Sequence, residues 1–234
     1  MKSLPLLFLG IFFTLAFSWT GIVLVNHRTL GELQPATAQL VNDKGEPITG
    51  VVYKDAANHW TPGQNMEKED LFPKALPGDA ARGKRVYEQM GCLYCHSQQV
   101  RRQGFGSDFE RGWGKRQSVA RDYIFQERVM LGTMRTGPDL TNVGDRYSAL
   151  WQYQHLYNPQ ITSPGSTMPP FPFLFEARKI NPYTGPSPEA ITLPKGFELP
   201  AGEELVPTQR GKDLVAYLMS LRQDYDLPEM KRAE

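Results

Sequence analysis

The chain has 234 residues, enough for one domain with a substantial core plus appendages. Its 26 Lys and Arg against 25 Asp and Glu leave almost no net charge, so nothing in the charge balance points to nucleic acid or a strongly anionic surface as partner. Nineteen prolines and 21 glycines point to loops rather than dense secondary structure.

From Leu4 to Val25 the chain reads LPLLFLGIFFTLAFSWTGIVLV, uncharged and long enough to cross a hydrocarbon core of ~30 Å as a helix. A secretory signal peptide is the competing reading, but its apolar stretch spans only about 7–15 residues before a small-x-small cleavage site. Here the run is longer and ends at Val25-Asn26-His27-Arg28, so residues 1–26 are expected to be an uncleaved transmembrane anchor. Charge gives little orientation, with Lys2 and the amino terminus on one side and Arg28 on the other.

Residues 27–77 are predicted to be a tether. Gln39-Leu40-Val41 and Gly50 to Tyr53 flank the polar turn Asn42 to Pro47 as a hairpin would, and an irregular spacer fits equally well. A compact domain over 78–226 follows. Asp79 is predicted to cap a helix running to Met90, with Val86, Tyr87 and Met90 at helical spacing and Gly91 ending it.

Gly91-Cys92-Leu93-Tyr94-Cys95-His96 comes next and holds both cysteines of the chain. Cys-x-x-Cys-His is the attachment pattern of a c-type haem. Two thiols one turn apart can add to the two vinyl groups, and the following histidine brings an imidazole under the iron. A zinc site would want two more ligands at motif spacing, whereas His27, His59 and His155 stand isolated. A redox dithiol would want a βαβ setting, which the pattern of elements does not supply. One covalent haem per chain is the expectation. Such haems are inserted outside the cytoplasm, which puts the domain on the periplasmic or exoplasmic side of a bacterial inner membrane.

Helices are also predicted over Asp122 to Leu131, stopping at Gly132, and over Ser148 to Tyr157, capped by Ser148. The proline-rich stretch Phe171 to Pro207 is expected to be an extended loop hugging the surface through Phe171, Phe173, Leu174 and Phe175. A last helix, Gly211 to Gln223, carries a stripe of Leu214, Leu218 and Leu221 beside Tyr217. It would close on the first helix, where Gly83 and Tyr87 offer a small-plus-aromatic crossing. The fold class is mainly α: a cytochrome c-like haem domain behind an N-terminal transmembrane helix, with long proline-rich loops.

A thioether as second axial ligand favours ferrous iron and raises the potential. Met130 and Met134 flank a predicted helix end and Met219 lies in a helix, while Met168 sits in the proline-fixed segment Ser166-Thr167-Met168-Pro169-Pro170. Met168 is the expected ligand; a packing role for it, with His155 ligating instead, is the alternative.

Several segments together carry a family resemblance. Gly91 to Arg101 (GCLYCHSQQVR), Arg135 to Leu140 (RTGPDL), Val143 to Tyr147 (VGDRY), Asn158-Pro159 and Ser166 to Pro169 (STMP), with the anchor, resemble the mono-haem, membrane-anchored subunit of cbb3-type cytochrome c oxidases. Arg102 replaces the family's usual proline and Asp145 its usual glycine, and 171–207 is unusually proline-rich. The resemblance implies thioethers at Cys92 and Cys95, iron ligation by His96 and Met168, and a Pro138 carbonyl accepting the proton on the far nitrogen of His96. It also implies Arg135, Arg146 and Tyr147 near the haem propionates. The implied role is a one-electron relay between a cytochrome donor and a membrane haem-copper subunit that reduces oxygen. The small subunit of a nitric oxide reductase and a haem-based gas sensor are the other readings.

Overall fold

The computed structural model describes residues 3–36, 52–54, 60–62, 71–132 and 134–230. They divide into two compact units, one of 1–74, 119–127 and 227–234, the other of 75–118 and 128–226.

In the first unit a continuous helix runs from Leu4 to Gly31, with a mean hydropathy of 2.1 over its most apolar window and none of that window buried. It comprises α1 (Leu4–Ser18), a π-helical turn (Trp19–Leu24) and α2 (Val25–Gly31). At 1.5 Å per residue such a helix is long enough to cross a hydrocarbon core of ~30 Å. Two of its polar side chains bond back to its own carbonyls: Thr14 donates to that of Gly10 at 2.9 Å and Asn26 to that of Ile22 at 2.7 Å. β1 (Val52–Lys54) pairs antiparallel with β2 (Trp60–Pro62). β1 overlaps the second strand of the hairpin predicted around 42–47; residues 37–51, which hold the rest of that hairpin, lie outside those described.

The second unit is closed by α3 (Gly78–Gln89) and α6 (Gln209–Ser220), as the leucine stripe predicted. Ala80, Gly83, Val86 and Tyr87 face Leu214, Tyr217 and Leu218 in one core. Gly83 is the point of nearest approach, where a Cβ would overlap the Asp213 carbonyl and stand 2.8 Å from the Tyr217 Cβ. The space a side chain would need is backbone of the partner helix. Tyr87 and Tyr217 meet edge to face at 5.4 Å, and Tyr217 donates to Gln98 at 2.9 Å. Arg82 bridges Asp213 through two bonds of 2.9 Å. Asp79 lies within the first turn of α3 rather than at its cap, which is Pro77.

Between these helices lie α4 (Val143–Arg146) and α5 (Ala149–Tyr157), the latter capped by the Ser148 side chain accepting from Trp151 N–H. Two expectations fail. The helix predicted over Asp122 to Leu131 is only a 3₁₀ turn, Ala120–Tyr123, which Asp122 ties off by accepting from Val119 N–H at 2.8 Å. The segment after it is held by distant partners: the Leu131 carbonyl accepts from Gln98 N–H at 2.9 Å and that of Arg128 from Lys84 at 2.5 Å. The stretch 171–207 is not wholly loop either. β3 (Phe175–Lys179) pairs antiparallel with β4 (Glu203–Pro207), burying Phe175, Leu205 and Val206.

Candidate haem site

α3 ends at Met90, and Gly91, at φ +72°, turns the chain into a 3₁₀ turn over Cys92–Tyr94. The Cys92 carbonyl accepts from both Cys95 N–H (3.1 Å) and His96 N–H (2.9 Å), so one tight turn presents two thiols and the imidazole. All three line a cavity of about 540 Å³. Burial pushes the Cys92 thiol up to about 11, which keeps it protonated.

The His96 imidazole is oriented from below. Its Nδ1 lies 2.7 Å from the Pro138 carbonyl, which can only accept, so Nδ1 carries the proton and Nε2 the lone pair. Burial lowers its pKa and reinforces the neutral form. Gly137 lies against the ring face: a Cβ there would stand 2.7 Å from Nε2. What holds this strand in place is Asp139, wholly buried, which accepts from Ser97 Oγ at 2.6 Å, Gln99 N–H at 2.9 Å and Thr141 N–H at 2.9 Å.

Arg135 belongs to this brace rather than to the cavity wall. It donates to Ser97 Oγ at 2.8 Å and to Asp108 at 2.5 Å. Burial works against the Asp108 carboxylate, but Arg135 and Arg101 outweigh it and hold its pKa below the usual range. The structure thus brings Cys92, Cys95, His96, Pro138, Arg146, Tyr147 and Met168 to one cavity and ties Arg135 elsewhere.

The rest of the cavity is formed by α5 and by 163–171. Tyr147, Trp151 and His155, four residues apart, stack in one column, with centroids 3.8 and 4.6 Å apart and planes within 12°. His155 Nδ1 lies 2.6 Å from Thr162 Oγ1, and burial drops its pKa to about 4. Met168 sits in a loop fixed by Gln160, which donates to the Ser166 carbonyl at 2.7 Å and accepts from Gly165 N–H at 2.8 Å. Of the other methionines considered, Met130 is buried in the core, Met134 is exposed, and neither they nor Met219 line the cavity.

Two buried donors on the cavity wall, Arg146 Nε and Gln152 Nε2, have no acceptor among the described residues. Arg146 also donates to the Asp139 carbonyl, and burial lowers its pKa. A cationic donor without an acceptor beside an otherwise apolar cavity fits a flat apolar group that ends in carboxylates. With two thiols, an imidazole lone pair and a thioether lining the same cavity, the residues fit haem. Among the described residues no cluster of three or more His, Cys, Asp or Glu offers a separate metal site.

Sequence reasoning missed Asp108 and Gln152, which stand in no spacing pattern, and gave Asp139 no role although it lies in the RTGPDL segment. No curated protein matches the chain. Residues 76–193, which contain the cysteine turn, the Asp139 brace, α5 and the Met168 loop, match the model of the cytochrome c oxidase mono-haem subunit, FixO; the chain belongs to that family, the electron-transferring mono-haem subunit of cbb3-type oxidases.

Proposed function

We propose that the haem of this subunit is bound covalently through Cys92 and Cys95, that His96 Nε2 and the Met168 thioether are its axial ligands, and that Arg146 meets a propionate. The observation that carries this reading is the single cavity lined at once by the Cys-x-x-Cys-His turn, the proline-fixed methionine and an arginine with an unused donor. Haem when bound supplies a one-electron couple, and His/Met ligation sets it toward the oxidising end of a respiratory chain. The chain supplies the rest. Pro138 fixes the His96 tautomer, the Asp139 brace fixes Pro138, and the apolar wall of Leu140, Val143, Leu156 and Leu218 keeps water from the ring face.

The anchor, Leu4–Gly31, holds the domain at the exoplasmic face of a bacterial inner membrane. There it takes electrons from a cytochrome donor and passes them to the haem-copper subunit. Met168→Ala tests the assignment: the potential falls by on the order of 100 mV, within the ~0.8 V that axial ligands span, and turnover of the assembled complex with its donor collapses. A variant that keeps its potential and full turnover overturns it.

A further inference from the structure

His155 is not used by the relay as described, yet it carries the arrangement of a metal-binding imidazole. It lines the same cavity as His96 and Met168. Thr162 Oγ1 lies 2.6 Å from His155 Nδ1 and 3.5 Å from the Pro159 carbonyl, so the hydroxyl oxygen can accept from Nδ1–H. In that tautomer Nε2 keeps its lone pair, and it has no partner among the described residues. The ring is fixed in orientation by its stack on Trp151, itself stacked on Tyr147. One nitrogen held by a neighbour and the other left open is what His96 shows against Pro138.

The two sulfur and nitrogen donors differ in their supports. Met168 is carried by a loop with short-range bonds, Met168 N–H to Ser166 Oγ and Gln160 to Ser166, which is tied back to α5 beyond Met168, where Phe171 N–H donates to the Leu156 carbonyl at 2.9 Å. His155 is carried by the last turn of α5, whose next residue, Leu156, lies in the core.

We propose that His155 is a reserve axial ligand, whose Nε2 takes the sixth position on the iron when the Met168 thioether is withdrawn; this rests on Met168 being the resident ligand. The exchange breaks an iron–sulfur bond and forms an iron–nitrogen bond. No electron changes hands, and the tautomer that ligates is the one in which Nδ1–H donates to Thr162 and Nε2 carries no proton. The subunit then stays closed to small diatomic ligands and falls to a lower potential, so losing the thioether silences the relay without creating an open, reactive iron.

The test uses the full-length chain with haem attached, in detergent, and reads the near-infrared sulfur-to-iron band, the electron paramagnetic resonance spectrum and carbon monoxide binding. Wild type shows the sulfur band. Met168→Ala loses it but stays low-spin with a two-imidazole signal and does not bind carbon monoxide; Met168→Leu, which conserves volume, behaves the same if alanine disturbs the loop. Adding His155→Phe to either turns the haem high-spin, admits carbon monoxide, and tightens binding of added imidazole by about tenfold or more. High-spin, carbon monoxide-binding haem in Met168→Ala and Met168→Leu overturns the reserve role and leaves the Met168 assignment standing. A wild type without the sulfur band, whose two-imidazole signal His155→Phe abolishes, overturns both.

Discussion

Single residues do most to define the site, and they differ in how openly the sequence declares them. Cys92, Cys95 and His96 are legible because covalent attachment demands a fixed spacing. Replacing both cysteines by alanine should abolish covalent haem, since no other thiol exists to take a vinyl group; haem staining after denaturing electrophoresis checks this, and a persisting band refutes it. Asp108 and Asp139 are not legible, because a buried carboxylate is recognised by its donors, and those come from segments up to 42 residues away. Arg135 illustrates the same limit. Its charge suggested a propionate partner, while its geometry commits it to Asp108 and Ser97. At Gly137 an added Cβ would displace the His96 ring, so Gly137→Ala should weaken the iron–imidazole bond and lower the haem yield, visible as a mixed-spin spectrum in the purified holoprotein.

Helices with strong periodicity and a close partner were legible as elements. α3, α5 and α6 lie within three residues of their predicted bounds, because apolar stripes and caps are local signals. The false helix at 122–131 had the periodicity but not the environment: Lys84 and Gln98 claim the Arg128 and Leu131 carbonyls from outside. The β3–β4 pair was hidden by the long connection, 180–202, which leaves no turn signal between the strands. Where α3 crosses α6, Gly83→Ala should destabilise the domain by about 3 kcal/mol or more, as the two backbones must part; a small shift in the denaturant midpoint would contradict the crossing. The Arg82–Asp213 pair adds a pH dependence. Hydrogen bonding to Arg82 lowers the Asp213 pKa below its ordinary value of 3.8. A carboxyl depressed on folding stabilises above its unfolded pKa and loses that contribution as pH falls through the folded one. Stability should therefore decline from about pH 4 downward, and Arg82→Met should flatten that decline in midpoints of the full-length holoprotein.

For the whole molecule, the anchor makes the sharpest expectation. The protein should resist carbonate extraction and begin at or near Met1, and a soluble chain starting near Asn26 would show that the apolar helix is removed. The closure of α3 on α6 has a consequence for how the molecule is made. Arg82 and Asp213 are 131 residues apart, so drawing them together costs roughly 4 kcal/mol of loop entropy, recovered only once the last helix is present. In a domain that crosses the membrane N-terminus first, the cysteine turn, more than a hundred residues ahead of α6, reaches the far side before it does. During that interval the domain has no lid. Cys92, half-buried in the finished protein, stays open on that side to whatever enzyme delivers the prosthetic group until α6 has followed and closed the domain.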